Sequence, residues 1–246
     1  MYMARRRFFV EEVREQRAVL SGEAADHLRR VLRARTGDRY ELSDNRCVYL
    51  AEIEGFARGE VLFRILQPLP GESPPLRLVL KAALVKFDRF EWMIEKATEL
   101  GVEQITPVIA ARSEKGLEQG ALKRMERWRR IAREASQQAR RVRLPEIHPP
   151  AQFETTLHDC STCRYFLDES RTGTPLLEAL PPAGRRRRED SVAVLVGPEG
   201  GWSEAERGAA GAAGWEAVTL GTYVLRAETA ATAAIAVLMN AWMART

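Results

Sequence analysis

The stretch that most constrains the fold of this chain is a short apolar run, residues 192–196, which leads directly into Gly-Pro-Glu-Gly-Gly at 197–201. An apolar, mostly β-branched run of this length is typical of a strand buried on both faces of a parallel sheet. The glycines permit backbone angles and close approaches that a Cβ would prevent, and Pro198 fixes one φ. Ser203 is a suitable helix N-cap, with Glu206 at the capping-box spacing. The stretch therefore predicts a strand, a tight loop and a helix.

A second stretch repeats this pattern near the carboxyl end of the chain. Residues 217–220 are strand-like, Gly221 interrupts them, and residues 228–243 form a long apolar, alanine-rich run that predicts a helix. In open α/β sheets, ligands bind outside the carboxyl ends of strands, so we expect the two loops to close on one flat ligand. Neither loop has the Gly-Lys-Ser/Thr ending of a Walker A loop or the G-x-G-x-x-G of a dinucleotide fold. For either loop taken alone, a turn needed only for packing is the alternative.

Two segments, Gly-Pro-Glu-Gly-Gly at 197–201 and Leu-Arg-Ala-Glu-Thr-Ala at 225–230, resemble the signature of the RsmE-type 16S ribosomal RNA uridine-N3 methyltransferases of the SPOUT superfamily. Further segments resemble the same family, in order, along nearly the whole chain. They are Arg-Arg-Phe-Phe-Val at 6–10, His-Leu-Arg-Arg-Val-Leu-Arg at 27–33, Glu-Lys-Ala-Thr-Glu-Leu-Gly-Val at 95–102 and Glu-Ala-Ser-Gln-Gln-Ala-Arg-Arg at 134–141. This coverage is far more specific than any single motif.

The resemblance implies a SPOUT-type α/β domain with a carboxyl-terminal trefoil knot, preceded by a small PUA-like β-barrel domain. It implies S-adenosyl-L-methionine as the cofactor, bound in the knot, and a homodimer formed through the knotted domains. The implied reaction is methylation of N3 of one uridine in the 16S rRNA of the small ribosomal subunit, at the position usually called 1498. The knot is expected from the family alone, because knotted chains are rare exceptions among folds.

The resemblance also indicates which residues would surround the cofactor, largely through backbone groups. The candidate cofactor-binding residues are Leu167, Val196, Gly197, Glu199, Gly200, Gly201, Leu220, Gly221, Leu225, Arg226 and Thr229. Leu167 would be the contribution of a third loop, after a strand at 165–167. Glu199 would position substrate or brace its loop.

Methylation of uridine N3 requires loss of the imide proton, so the site needs a proton acceptor or a group that stabilises the resulting anion. Arg226 is not a practical base at neutral pH, but its guanidinium would stabilise an oxyanion at O2 or O4, or hold a phosphate. Glu228 is a candidate base. The alternative, which the residue pattern favours, is a carboxylate that interacts with the dipole at a helix N-terminus. Because N3 lies on the Watson–Crick edge, the target uridine must be unpaired or extruded.

Two domains are predicted from the distribution of strand and turn residues. Residues 1–70 contain short alternating runs separated by glycine and Asp-Asn turns, a pattern typical of a small β-barrel. A proline-rich linker follows at 71–75. From residue 76 to 246, apolar strands alternate with helical patterns, as expected for an α/β domain.

Positive charge is concentrated in one segment of the chain. The whole chain has a formal net charge of +4, whereas residues 112–143 hold eleven basic and four acidic side chains, a net +7. A phosphate backbone is the expected partner, and a solvated helix face with internal salt bridges is the alternative. The family resemblance, which implies an RNA-binding barrel domain, makes Arg5, Arg6, Arg7, Arg30 and Arg33 candidate phosphate contacts, and the basic segment adds Arg140 and Arg141.

Composition limits the remaining possibilities. Three cysteines without a framework predict reduced thiols, and Cys160 and Cys163 lack the second pair that a closed zinc site needs, so no metal site is predicted. No apolar run reaches membrane-spanning length and no signal-peptide core follows the first residues, so we expect a cytoplasmic protein.

Two other functions remain open from the sequence. SPOUT 2′-O-ribose methyltransferases typically carry Ser-Leu-Asn in the last knot loop, where this chain has Leu-Arg-Ala-Glu-Thr at 225–229. A non-catalytic RNA-binding or ribosome-assembly factor with the same fold is the alternative from a different class.

Overall fold

The computed structural model describes residues 6–114, 116–169 and 173–244. The described residues group into two compact units. The first unit comprises the residues up to Ser73 together with Arg133–Leu144, and the second comprises Pro74–Ala132 together with the residues from Pro145 onward. The predicted boundary at 71–75 thus lies beside this division, but Arg133–Leu144 groups with the first unit although the predicted second domain includes it.

Hydrogen bonds within the first unit explain this grouping. Arg7 Nη1 donates to the carbonyl of Arg140, and Ser43 Oγ donates to the carbonyl of Val142. Neither contact has a local signal in the sequence, since the partners are about a hundred residues or more apart.

A six-stranded sheet forms the centre of the first unit. Its elements are β1 (Arg7–Phe9), β2 (Val13–Arg14), β3 (Arg17–Leu20), α1 (Gly22–Asp26), β4 (Arg39–Ser43), β5 (Val48–Ala57) and β6 (Glu60–Leu69). A π-helix over His27–Val31 follows α1. The strand order is β1-β4-β5-β6-β3-β2, with β1 parallel to β4 and the other pairs antiparallel. Closure of this sheet into a PUA-like barrel stays a prediction.

The hairpin between β5 and β6 follows directly from its two turn residues. Arg58 and Gly59 both have positive φ, 47° and 89°, as a two-residue type I′ turn requires. Along β6, Val61 and Phe63 alternate with more exposed residues and point into the core of the unit. The same alternation buries Ala18 and Leu20 on β3.

The second unit is a parallel α/β structure. Its elements are β7 (Arg77–Ala83), α2 (Phe87–Glu99), β8 (Gln104–Ile109), α3 (Leu117–Gln138), β9 (Glu146–Ile147), β10 (Ala151–Gln152), α4 (Phe153–Thr156), β11 (Cys163–Leu167), β12 (Thr174–Pro175), α5 (Leu176–Ala179), β13 (Ser191–Val196), α6 (Glu204–Ala212), β14 (Glu216–Thr219) and α7 (Ala227–Met243). A 3-10 turn covers Ala183–Arg185, and α3 ends within the segment assigned to the first unit.

All strands of this sheet pair in parallel, in the order β10-β8-β7-β13-β11-β14-β12, with β9 also paired to β8. Strand β13 lies near its centre, and its side chains alternate between two hydrophobic clusters. Val192, Val194 and Val196 belong to one cluster, and Ala193 and Leu195 to the other. The predicted α/β class and the two-sided burial of this strand are therefore confirmed. The trefoil knot stays a prediction.

Among the described residues, no helix is both long and apolar enough to span a lipid bilayer.

Candidate active site

A cavity of about 370 Å³ lies at the carboxyl ends of β11, β13 and β14 in the second unit. These strands are neighbours in the sheet, so the loops that leave them converge at one edge. The described residues that line the cavity are Leu167, Asp168, Glu169, Val196, Gly197, Pro198, Glu199, Gly200, Gly201, Val218, Thr219, Leu220, Gly221, Thr222, Tyr223, Val224, Leu225, Ala227 and Ala230. We call residues 197–201 the glycine loop and residues 221–226 the last loop.

The structure brings most of the predicted cofactor-binding residues to this cavity. Those that line it are Leu167, Val196, Gly197, Glu199, Gly200, Gly201, Leu220, Gly221 and Leu225. Arg226 and Thr229 are exposed and are not among the lining residues. The three predicted loops therefore do meet at one cavity, but Arg226 and Thr229 do not line it.

Trp202 anchors the glycine loop to the sheet. Its side chain is fully buried and stacks on Phe166, with ring centroids 4.8 Å apart. Its indole Nε1 donates to the carbonyl of Leu167 over 2.9 Å, which ties the glycine loop to the end of β11. A Cβ at Gly197 would come within 2.9 Å of this indole nitrogen, so the loop needs glycine at that position.

Gly201 is favoured at its position by the backbone conformation. Its φ of +70° lies in the left-handed region, and the carboxylate of Glu169 would have to move to admit a Cβ. Arg112 supports the same part of the loop, because its Nη1 donates to the carbonyls of Gly200 and Trp202 at 3.1 and 3.2 Å. The glycine loop is therefore held by Trp202, which directly follows it, and by Arg112 from the segment after β8.

The predicted capping box at the start of α6 is confirmed. Ser203 Oγ accepts from the backbone N–H of Glu206 at 3.2 Å, and Glu206 Oε2 accepts from the backbone N–H of Ser203 at 2.8 Å. The other carboxylate oxygen of Glu206 accepts from the backbone N–H of Ala111 at 2.8 Å. Glu206 thus also fastens α6 to the segment after β8.

Asp168 and Glu169 line the cavity beside Leu167 and are missing from the sequence-based set. Arg207 on α6 binds both, with Nε 3.0 Å from Asp168 Oδ2 and Nη2 2.7 Å from Glu169 Oε1. The hydrogen bonds to Asp168 raise the pKa of Arg207. A usable signal was present in the sequence, since polar residues directly after a buried strand mark the ligand-binding edge of a parallel sheet.

The last loop is held far less firmly than the glycine loop. Residues 221–226 are all exposed, and the side chains of Tyr223 and Val224 are among the most exposed apolar ones of the described residues, at 86% and 80%. Thr219 Oγ1 accepts from the backbone N–H of Gly221 at 3.4 Å. Arg226 occupies the N-cap position of α7, and its side chain makes no capping hydrogen bond.

Glu228 lies in the first turn of α7, between two residues that line the cavity, Ala227 and Ala230. Its carboxylate is buried, and Oε2 has no hydrogen-bond partner among the described residues. Its other oxygen lies 4.0 Å from Nε of Arg89, whose Nη1 pairs with Glu199 of the glycine loop. The two predicted catalytic residues therefore differ: Arg226 is exposed, whereas Glu228 is buried with an unused acceptor.

A family model described as an RNA methyltransferase domain matches residues 72–239 of the chain. The ribosomal RNA small subunit methyltransferase E of Mycobacterium bovis is 32% identical, over 92% of this chain and 88% of the relative. The protein of the same name from Aquifex aeolicus is 29% identical, over 95% of this chain and 98% of the relative. This chain belongs to the ribosomal RNA small subunit methyltransferase E family.

A solved structure of a family member extends the comparison to the fold. The ribosomal RNA small subunit methyltransferase E from Neisseria gonorrhoeae, bound to S-adenosyl methionine, has a TM-score of 0.86 and 30% sequence identity to this chain. The match covers 97% of this chain and 98% of the other. The methyltransferase E family therefore accounts for both units, and the resemblance seen in the sequence motifs is confirmed.

In this methyltransferase E family member, the described candidate RNA-binding arginines all lie in the first unit. Arg6 Nη1 donates to His27 Nε2 at 2.9 Å, and Arg30 pairs loosely with Asp26 at 3.7 Å. Arg33 is exposed with a positive φ of 51°. Arg5 lies outside the described residues.

Arg7 differs from the other arginines because it is buried. Its Nη2 lies 2.9 Å from Glu41 Oε2, and its Nη1 donates to the carbonyl of Arg140. Arg140 Nη2 lies 3.9 Å from the other oxygen of Glu41, and Arg141 Nε donates to the carbonyl of Arg143 at 3.1 Å. The hydrogen bonds of Arg7 are thus directed inward, so it is a structural residue of this unit.

Part of the basic segment is neutralised by ion pairs. Arg124 and Arg127 both bind Glu91 of α2, with N–O distances of 2.9 and 2.8 Å, and Arg129 pairs with Glu126. The hydrogen bond from Arg127 holds the pKa of Glu91 below its usual value. The salt-bridged alternative therefore applies to these three arginines, and the predicted net charge overstates what the segment offers to RNA.

The cysteine pair has no metal-site geometry in the described residues. Cys160 is exposed and Cys163 is half-buried, and burial raises the pKa of the Cys163 thiol. No group of three or more His, Cys, Asp or Glu side chains suited to a metal ion occurs in the described part of the chain.

Proposed function

We propose that this protein transfers a methyl group from S-adenosylmethionine to N3 of one uridine in the 16S rRNA of the small ribosomal subunit, in the cytoplasm. One observation carries the proposal: three backbone loops at the ends of adjacent parallel strands enclose a single cavity of about 370 Å³. Sites for small molecules typically measure roughly 300–1,000 Å³. Family membership supplies the reaction class, and the signature segments at 197–201 and 225–230 supply the uridine-N3 specificity.

The residues around the cavity suit a cofactor with an adenosyl group and an amino-acid tail. The glycine loop and Leu220 provide backbone donors and acceptors close to the cavity, since glycines let the main chain approach a ligand. Leu167, Val196 and Leu225 provide apolar surface for a flat ring. The bound cofactor would supply the methyl group on a positively charged sulfur.

Arg226 and Glu228 would act on the uridine. The proton on N3 passes to the Glu228 carboxylate as the N3 lone pair forms the new bond to the methyl carbon. The C–S bond breaks and its electron pair stays on sulfur. Arg226, exposed beside the cavity, stabilises the negative charge that develops on O2 or O4 of the ring.

The first unit would hold the RNA. Arg6, Arg30, Arg33, Arg140 and Arg141 are the proposed phosphate contacts, with Arg5 as a further candidate, and we assign Arg7 a structural role because of its burial. Each neutralised phosphate releases condensed counterions, so RNA affinity should fall steeply with salt.

We infer the trefoil knot, the PUA-like barrel and the homodimer from family membership. The convergence of the loops after β11, β13 and β14 at one edge supports the knot, since a knotted pocket needs these loops together. Sedimentation of the full chain as a monomer at micromolar concentration would contradict the dimer.

The decisive experiment is mass mapping of modified uridines in 16S rRNA from a strain that lacks this protein and from the same strain after the gene is restored. We expect one N3-methyluridine to disappear and return. Loss and return of a 2′-O-methyl group would instead identify a ribose methyltransferase. An unchanged modification map, with no saturable binding of S-adenosylmethionine, would identify a non-catalytic RNA-binding or assembly factor.

Arg226→Ala tests the proposed chemistry directly. We expect methyl transfer to fall by about 100-fold or more, because a charge stabiliser in the transition state is lost, while oligomeric state and cofactor affinity are retained. Near-normal activity would remove Arg226 from the active site.

A further inference from the structure

Arg89 links the residues around the cavity to α2, an element outside the three loops. It lies in the first turn of α2, and its side chain is 27% exposed. Nη1 pairs with Glu199 of the glycine loop, and Nε lies 4.0 Å from Glu228 Oε1 on α7. One guanidinium therefore connects the glycine loop with the first turn of α7, which are about thirty residues apart in the chain.

The carboxylate of Glu228 lacks the hydrogen bonds that a buried carboxylate normally has. The side chain is 12% exposed, and Oε2 has no hydrogen-bond partner in the described residues. Oε1 forms a long ion pair with Arg89, 4.0 Å from its Nε. A buried carboxylate without hydrogen bonds is costly, and buried polar groups in folded proteins nearly always have partners. Oε2 has almost no accessible surface, so a bound molecule would become its partner only after the side chain turns toward the cavity.

Arg89 explains why Oε1 is paired whereas Oε2 is not. A guanidinium beside Oε1 compensates part of the cost of burying the charge and holds the carboxylate on that side. The pairing with Glu199 uses the other end of the same guanidinium, so neither end is free to reach Oε2. Oε2 stays unpaired and buried, close in the chain to Ala227 and Ala230, which line the cavity although Glu228 itself does not.

We propose that Arg89 is a positioning residue for methyl transfer, which acts through Glu228 by keeping Oε2 ready to accept the N3 proton of the substrate uridine. Arg89 need not touch the uridine or the cofactor. Its pairing with Glu199 sets its own orientation, and through it the distance between the glycine loop and the first turn of α7. This inference rests on the proposed uridine-N3 reaction.

The test is a double-mutant cycle with purified full-length protein, S-adenosylmethionine and 16S rRNA or small subunits. We expect Glu228→Gln to lower kcat about 100-fold or more, the usual contribution of a positioned proton acceptor, and Arg89→Ala to lower it about 10-fold or more. The double variant should be no slower than Glu228→Gln alone, because the two residues act as one unit. Cofactor affinity, measured by calorimetry, should change less than about threefold in all three variants.

Two further variants separate positioning from folding. Arg89→Lys should recover part of kcat, since it retains the charge but not the fork that reaches both carboxylates. Arg77→Ala is the matched control: Arg77 also pairs with one carboxylate, Glu103 at 3.8 Å, but at the amino end of β7 and away from the cavity. It should retain full activity, and circular dichroism should confirm that each variant is folded.

Two outcomes would overturn the inference. Multiplied losses in the double variant would mean that Arg89 does not act through Glu228. A loss confined to cofactor affinity, with kcat intact, would make Arg89 a support of the cofactor loops only. Either result is distinct from failure of the proposed function, in which the unmodified protein itself forms no N3-methyluridine.

Discussion

The glycine loop and the last loop line the same cavity, yet different interactions hold them. Trp202, Arg112 and Arg207 fasten the glycine loop and its neighbours to β11, to the segment after β8 and to α6. The last loop exposes Tyr223 and Val224 almost completely. The glycine loop is thus fixed by contacts with other parts of the fold, whereas the last loop leaves apolar side chains exposed.

Trp202→Ala should give the largest loss of stability, because it removes the side chain that ties the glycine loop to β11. The side chain is fully buried between Phe166 and Phe153, so we expect a loss of about 3–5 kcal/mol in the free energy of unfolding. Urea denaturation measures it. Trp202→Phe keeps an aromatic ring but loses the hydrogen bond to Leu167, so its loss should be smaller. A loss below about 1 kcal/mol for the alanine variant would show that the anchor is not needed.

Gly201→Ala should come next. The left-handed φ opposes a side chain and the Glu169 carboxylate would have to move, so we expect a loss of about 1–2 kcal/mol in stability and weaker binding of S-adenosylmethionine. Denaturation and calorimetry measure the two effects. Gly208→Ala is the control: this glycine lies in α6 with open space around it, and the substitution should stabilise the helix by about 0.5–1 kcal/mol. A shift of the same sign in both variants would contradict the assigned role of Gly201.

Hydrogen exchange should separate the two loops without any mutation. The backbone amides of Gly201 and Ser203 should exchange slowly without cofactor, since both donate hydrogen bonds within the structure. Amides of the last loop should exchange fast and slow by about tenfold when S-adenosylmethionine binds. Equal exchange rates in the two loops of the free protein would contradict the conclusion that the glycine loop is held more firmly than the last loop.

Tyr223→Ser should have the smallest effect on stability. An 86% exposed side chain contributes little to folding, so the free energy of unfolding should change by less than about 0.5 kcal/mol. The same variant should weaken cofactor binding, RNA binding or self-association, which calorimetry, filter binding and sedimentation would detect. A large drop in melting temperature would instead mean that the last loop is packed as firmly as the glycine loop.

The parts of the site that could be predicted are those with local signals. The buried run before the glycine loop, the glycines and the pair Ser203 and Glu206 lie within fifteen residues of one another, so periodicity and capping rules apply to them directly. Arg89, Arg112 and Arg207 could not be found this way. Their partners are distant in the chain or belong to other elements, and an arginine that braces a loop has no local pattern.

The sequence assigns Arg7 to the RNA contacts for a related reason: its long-range contacts have no signal in the sequence. In the sequence it belongs to a basic run at the start of the chain, which is typical of a phosphate-binding surface. In the fold it occupies a strand position whose side chain is buried against Glu41 and the carbonyl of Arg140. A single substitution, Arg7→Ala, should therefore lower stability, whereas Arg33→Ala should lower RNA affinity.

By itself, the sequence determined the α/β class, the strand, loop and helix around the glycine loop, and the family, because these depend on residue types at short spacings. Only the tertiary structure decided which carboxylates line the cavity, that Glu228 keeps an unused oxygen and that Arg89 joins Glu199 to it. These features depend on contacts between residues far apart in the chain, which form only when the parallel sheet brings its strand ends to one edge.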